Sequence, residues 1–337
     1  MGWWQLNADT LARSRFVLSP LAETFASLRL LHAGAGTHPG EHDWLRAHLP
    51  GHRAALAADP VTALLVRAGL GRCGFPAASA SERGGWIADF LTPTPRDGES
   101  FEEGVARVRA ADPAAARAHL RTSLAGPLPA ALDRDDLPER AAALLERVWE
   151  TDVRPYWDRR RRVLEADVVA RTALVSRGGW AAVLDSLRPG TRWLGDSRFQ
   201  VNLHEYPPRE VSGAELLFVP VTPGTGWVAW EGRERYAVVY PCSGVLAEDR
   251  RDRARAVPAA LSTLLGPARA TVLVLLAAPL STTQLVALTG QGLGSVGRHL
   301  RVLLDAGLVE RRRAGRSVLY SRTPAGRTLT EAAVSRP

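Results

Sequence analysis

The sequence contains no lysine; each of its 43 basic residues is arginine. Together with a single Met and abundant Ala and Gly, that imbalance has the stamp of a GC-rich coding bias and excludes no function. Cysteine is nearly missing too. Cys73 and Cys242 are too few and too far apart for a disulfide framework or a four-ligand zinc site. Long apolar runs are lacking: TVLVLLAAPL at 271–280 is about half the ~20 residues that a membrane span requires. The opening MGWWQLNADTLARSR has no basic stretch leading into an apolar one, so it does not read as a signal peptide. The expectation is a soluble, cytoplasmic protein without membrane contact.

What is present bounds the answer further. Apolar residues make up 46% of the 337, enough for a large core and too many for wholesale disorder. That length allows two or three domains. Charge is unevenly placed: residues 257–337 hold ten Arg against Asp305, Glu310 and Glu331, a net +7 of the chain's +8. A near-neutral body with a basic C-terminal segment points to a polyanion partner at that end.

From Asp9 to about Leu187 the apolar residues recur mainly with a helical period. Asp9 is expected to cap a helix in DTLARSRF, and Ser19 to cap the next, with Pro20 at its first position. Leu21, Phe25, Leu28 and Leu31 form one stripe of that second helix. PTPRDGES interrupts the pattern after Phe90 and Leu91. A long helix is predicted around 153–175. Its four consecutive Arg, 159–162, sweep round a full turn and cannot form one DNA-facing stripe. Asp158 with Arg162, and Arg161 with Glu165, stand at i,i+4 spacing. A solvated, ion-paired helix is predicted, with nucleic-acid or anionic-ligand contact as the alternative.

Between 198 and 241 the period changes to two. Phe199, Val201 and Leu203 alternate with Gln200, Asn202 and His204; ELLFVPV, GWVAW and RYAVVY follow, separated by TPGT and EGRE turns. A small antiparallel sheet of three or four strands is predicted. AEDRRDRARA at 247–256 reads as a charged helical connector.

TGQGLGSVGRHL at 289–300 spells G-x-G-x-x-G through Gly292, Gly294 and Gly297, the pattern that cradles a dinucleotide pyrophosphate. Its context excludes that role. The preceding STTQLVALTG starts with an S-x-x-Q capping box, Ser281 to Gln284, so a helix rather than a strand leads in. After Glu310 only 27 residues remain, too few for the rest of a doubly wound sheet. No cofactor is expected. The alternative fits every segment: a helix over STTQLVALTG, a GQG turn, and a second helix over LGSVGRHLRVLLDAG. That second helix buries Val296, Leu300, Leu303 and Leu304 and stops at Gly307. LVERRRAGRSVLYSRT then reads as an Arg-rich hairpin. Helix–turn–helix plus basic hairpin is a winged helix, which reads the major groove with its second helix and grips phosphate with its wing. Arg311, Arg312, Arg313 and Arg316 are its wing candidates.

At residues 265–323 the chain resembles the ArsR-type bacterial winged-helix regulators. The resemblance is carried by LSTTQLVALTG, VGRHLRVLLDAGLV and RRAGRSVLY. RFVLSPLAETFASLRLL, DFLTP, YWDRRRRVLEADVVAR and VYP resemble, more loosely, the large domain of one subgroup from high-GC bacteria, which has no settled function. The resemblance implies a base-contacting helix from near Gly292, with Ser295, Arg298 and His299 at the groove. Ser281, Thr282, Thr283, Gln284, Leu293 and Arg301 complete the candidate DNA-binding set. It also implies a homodimer on a palindromic site in double-stranded DNA and repression by occlusion. Family members often sense metals through Cys in the first helix of the motif. STTQLVALT has neither Cys nor His, and PAGRTLTEAAVSRP offers only Glu331, so no metal site is expected.

Other signals have ordinary explanations. His32, His38, His42, His48 and His52 cluster, but Pro39, Gly40, Pro50 and Gly51 are expected to break the helix that would align them. Loop and helix-end packing stands beside metal binding there. The ten Trp, with Trp3/Trp4 and Trp227/Trp230 close together, read as core or as a pocket for an organic effector. Trp193, Phe199, Phe218, Trp227, Trp230 and Tyr240 are the candidate lining. G-x-S-x-G is missing, and Cys242 in PCSG has no His within its segment, so no catalytic residue is proposed.

The predicted architecture is α+β, mainly α. It comprises a helical body at 1–187 for dimerisation or sensing, a small antiparallel segment at 188–245 packed on it, and a connector plus winged helix at 246–337. The expected function is a one-component transcriptional regulator and not an enzyme. The alternative is an N-terminal enzyme or small-molecule-binding body whose winged helix serves protein interaction or weak non-specific DNA binding.

Overall fold

The computed structural model describes residues 2–36, 39–70, 86–202, 207–242, 257–276, 280–289, 291–314 and 317–334. Among the described residues no helix is long and apolar enough to cross a membrane. The connector at 247–256 lies outside the described residues, as do Leu203 and His204. Two units carry the fold, one of Met1–Leu164 with Trp180–Leu246, the other of Glu165–Gly179 with Ala247–Pro337.

In the first unit, helices start at short polar side chains, often followed by proline. α1 (Ala8–Arg13) is capped by Asn7, whose side chain accepts the Thr10 N–H at 2.7 Å. Asp9, the expected cap, lies in its first turn instead. α2 (Pro20–Ala33) follows Ser19, whose hydroxyl accepts the Ala22 N–H at 3.1 Å. α3 spans Pro39–Ala58. α4 (Pro60–Gly69) follows Asp59, whose carboxylate accepts the Thr62 N–H at 3.1 Å. α5 (Phe101–Arg109) opens with the reciprocal Ser100–Glu103 capping box. α6 (Pro113–Leu124) follows Asp112, and α7 spans Leu137–Val148. Proline at the first position has no N–H to leave unsatisfied, and its φ already suits a helix.

α2 is the central helix. Leu21, Phe25, Leu28 and Leu31 are each 4% exposed or less, as their spacing predicts. α3 runs through Pro50 and Gly51 without the expected break. One proline removes a single backbone hydrogen bond, and contacts on both sides of it hold the helix. Trp44 and Leu45 are buried before it; after it, the ring of buried His52 accepts from Arg147 at 2.9 Å.

A π-turn (Trp149–Val153) follows α7, and α8 spans Trp157–Leu184, its helical geometry broken at Gly179 with φ +67°. Arg161 and Arg162 are exposed, as a solvated helix requires. Arg160 corrects that picture, being 2% exposed. Its Nη1 donates to Glu23 and to Ser27, both at 2.7 Å, and its guanidinium lies 5.2 Å from the Trp44 ring centre.

The single antiparallel sheet expected over 198–241 is corrected to two mixed sheets. The first has the order β3 (Arg192–Gly195), β4 (Arg198–Gln200), β1 (Trp3–Gln5), β5 (Arg209–Glu210). The second has the order β2 (Arg15–Phe16), β6 (Glu215–Val221), β8 (Arg235–Pro241), β7 (Trp227–Glu231). β1 pairs antiparallel with β4, Trp4 opposite Phe199, and parallel with β5. β6 runs parallel to β2 and to β8, while β7 and β8 form a hairpin. β6 and β8 are buried on both faces, so they carry no alternation to reveal their partners. Gln200 is buried as well, its amide donating to the Gly190 carbonyl at 3.0 Å.

Leu217, Val219, Val221, Trp227, Ala237 and Val239 of the second sheet join the helical core. Its opposite face carries Phe218 and Tyr236, and the Trp4 ring of the first sheet lies 5.2 Å from that of Tyr236. Helices, sheet and sheet thus form three layers.

The second unit has its own core. α9 (Ala259–Leu265), α10 (Pro267–Leu275), α11 (Thr282–Thr289) and α12 (Leu293–Asp305) surround Leu261, Leu273, Leu285, Val296, Leu300 and Leu303. β9 (Leu280–Ser281), β10 (Val309–Ala314) and β11 (Ser317–Arg322) form an antiparallel sheet of order β10–β11–β9, and α13 (Pro324–Val334) follows.

Candidate nucleic-acid interface

α11 and α12 make the helix–turn–helix. Thr282 opens α11 directly after Ser281, and Gly292 precedes α12 in extended conformation. Val296, Leu300 and Leu303 are at most 1% exposed, with Leu304 half-buried beside them, so the predicted apolar face of α12 is the one that packs. The helix ends in a Schellman arrangement: Gly307, at φ +68°, donates to Leu304 O, and Leu308 donates to Leu303 O. That turn sends the chain straight into β10.

The wing is a hairpin in which Val309 pairs with Arg322 and Ala314 with Ser317. Arg322 roots it. Its Nε donates to Leu273 O at 2.7 Å and its Nη2 to Val274 O, satisfying carbonyls in the last turn of α10. Sequence reasoning missed this Arg, because nothing local distinguishes it from the exposed arginines of the wing.

The candidate residues separate by exposure. Arg298 and Arg301 are exposed on α12, Arg311, Arg312 and Arg313 are exposed on β10, and Leu293 is 63% exposed. Ser295 and His299 are half-buried; the Ser295 hydroxyl donates to Gln291 Oε1 at 3.2 Å and lies 3.3 Å from His299 Nε2. Burial, with Arg269 and Arg298 nearby, holds the His299 ring below its ordinary pKa, so at neutral pH it is uncharged. Ser281 is 7% exposed and paired with Leu319 inside the sheet, which withdraws it from the exposed set. Thr282 is half-buried. The Thr283 and Gln284 side chains and Arg316 lie outside the described residues.

The three glycines add a feature of shape. A Cβ built on Gly292, Gly294 or Gly297 meets nothing within 4 Å. Packing does not require glycine there, and α12 presents backbone without a side chain at 294 and 297.

The six aromatics expected to line one effector pocket are distributed instead. Trp227 faces the helical core, 5.2 Å from the Phe25 ring and donating to Thr92 at 2.8 Å. Phe218 lies on the opposite face of that sheet, 5.5 Å from Phe16 and 5.2 Å from Trp180; Tyr240 is 6.4 Å from Phe16. Phe199 sits in the other sheet, 6.4 Å from Trp4 and paired in register with Trp193. Trp230 stands apart, 5.5 Å from Trp86 and under the Arg209 guanidinium at 3.9 Å. Trp227 lies on the sheet face opposite to Phe218 and Tyr240, so the six do not line one pocket together.

Of the clustered histidines, His48 bonds Asp152 at 2.8 Å and His42 bonds Gly36 O at 3.0 Å, while His38 lies outside the described residues. Among the described residues no group of three or more His, Cys, Asp or Glu stands close enough to hold a metal ion.

Residues 266–311 match the family model described as bacterial regulatory protein, arsR family. The match runs from the start of α10 into β10. No curated protein and no solved structure matches the chain. An ArsR-family helix–turn–helix suggests a DNA-binding transcription regulator.

Proposed function

We propose that this chain is a one-component repressor that binds a palindromic operator as a homodimer. The observation that carries this reading is the set of exposed cations on the matched unit: Arg298 and Arg301 on α12, and Arg311, Arg312 and Arg313 on the wing. Arg forks suit guanine O6 and N7 in the major groove, and wing arginines suit phosphate. Two-fold symmetry would set two α12 helices on two half-sites about one helical turn apart. In this reading the first unit is regulatory rather than catalytic; it pairs two copies and answers an organic effector.

The experiment is fluorescence anisotropy of the full chain with the duplex lying upstream of its own coding region, with a polyanion competitor present. Retained binding that falls linearly in log affinity with log salt supports the reading. Loss of all binding to the competitor rejects it.

A further inference from the structure

Leu293 is an apolar side chain in a basic setting. It is 63% exposed at the first position of α12, on a helix whose Arg298 and Arg301 are also exposed. Its neighbours explain the exposure. On a helix, residue 293 is flanked on its own side by 296 and 297. Val296 is turned wholly into the core, and Gly297 has no side chain to cover anything. Gly292 and Gly294, on either side in sequence, likewise border open space. Among the described residues, Leu293 therefore stands alone at the leading end of the helix, where the glycines let a partner come close.

We propose that Leu293 reads the C5-methyl group of a thymine in the major groove. This rests on the regulator reading above, and it assigns the base edge that the leading end of α12 recognises. A leucine on a helix that also exposes arginines fits a partner that is anionic yet carries small apolar groups at its reading edge. DNA meets both conditions, because thymine is the only one of its four standard bases to display a methyl there. The leading residues of a recognition helix are also those that reach base edges. Val302, 44% exposed, is the other apolar side chain on this helix open to solvent at that level. It lies nine residues, about 13 Å, along the axis and away from the leading end. The glycines fit the same role, since side chains at 294 and 297 would hold the backbone off the groove floor.

The test removes one methyl at a time. Full-length protein is selected on randomised duplexes, and each thymine of the preferred half-site is then replaced by deoxyuridine, which lacks only the C5-methyl. At one thymine per half-site the native chain should bind about fourfold more weakly, the effect of one buried methyl at ~0.8 kcal/mol. Leu293→Ala should show a similar loss on thymine DNA and no further loss on deoxyuridine. The substitution is at an exposed site, so unchanged Tm and unchanged size in solution are expected. A preferred site with no methyl-sensitive thymine overturns the inference and leaves the regulator reading standing. So does a Leu293→Ala variant that keeps the sensitivity, or one that changes oligomeric state. Absence of any preferred sequence overturns both.

Discussion

Arg160 Nη1 and Glu23 Oε1 lie 2.7 Å apart, with side chains only 3% and 0% exposed. Glu23 also accepts the Thr222 N–H at 2.7 Å and the Thr222 hydroxyl, so one carboxylate ties α2, α8 and the end of β6 together. Removing one partner leaves a charge buried alone. Glu23→Gln or Arg160→Ala should lower unfolding free energy by about 3–5 kcal/mol, read by urea denaturation. An apolar pair, Glu23→Leu with Arg160→Met, should recover only part of that loss, because the buried Thr222 N–H and hydroxyl then lose their acceptor. A cost below about 1 kcal/mol for the single variants would show that the pair does not organise the unit.

Acid should weaken the fold through His52. Burial, with Arg147 beside it, lowers its pKa from 6.5 to about 4. Between these values the unfolded chain binds more protons than the folded one, so stability rises with pH. The contribution is complete above pH 6.5 and is lost as pH falls toward 4, a total of roughly 3 kcal/mol at 1.36 kcal/mol per unit. Denaturation midpoints at pH 7, 6 and 5 should trace that slope, and His52→Gln should flatten it.

The glycines of the second unit should respond in opposite senses. Gly294→Ala and Gly297→Ala place a methyl in open space on a helix, so each should stabilise by up to about 1 kcal/mol. Gly307→Ala forces φ +68° on a residue with a Cβ and should destabilise by about 1 kcal/mol. Thermal melts of the full chain separate the two outcomes by sign.

Wing and helix should fail differently on DNA. Arg312→Ala should weaken binding to operator and random duplex alike and reduce the salt slope by about one. Arg298→Ala should cost affinity mainly on the operator, by about 1–3 kcal/mol. Equal losses on both duplexes for Arg298→Ala would remove its base-reading role.

The winged helix was legible because its signals are local: a buried stripe at i, i+4 and i+7, a glycine stop, and two short strands around a tight turn. The stripe of α2 and its Ser19 cap were legible for the same reason. The sheets of the first unit were not. Trp4 pairs with Phe199 and Phe16 with Phe218, across some two hundred residues, and no short window records such pairing. Arg160 was hidden for a related reason. Its three Arg neighbours make a solvated run the natural reading, and only the distant Glu23 explains why one of the four turns inward.

The long-range pairing of β1 and β2 also has a chronology. Both belong to the first sixteen residues, yet their partners arrive only with residues 198–221. At roughly 5–20 residues per second of synthesis, the wait is on the order of 10–40 seconds. Throughout it Trp4 and Phe16 have no strand to join, and the nascent chain displays apolar edges to its surroundings. Folding of this unit is therefore gated by elongation. A ribosome stalled before residue 198 would hold an incomplete sheet.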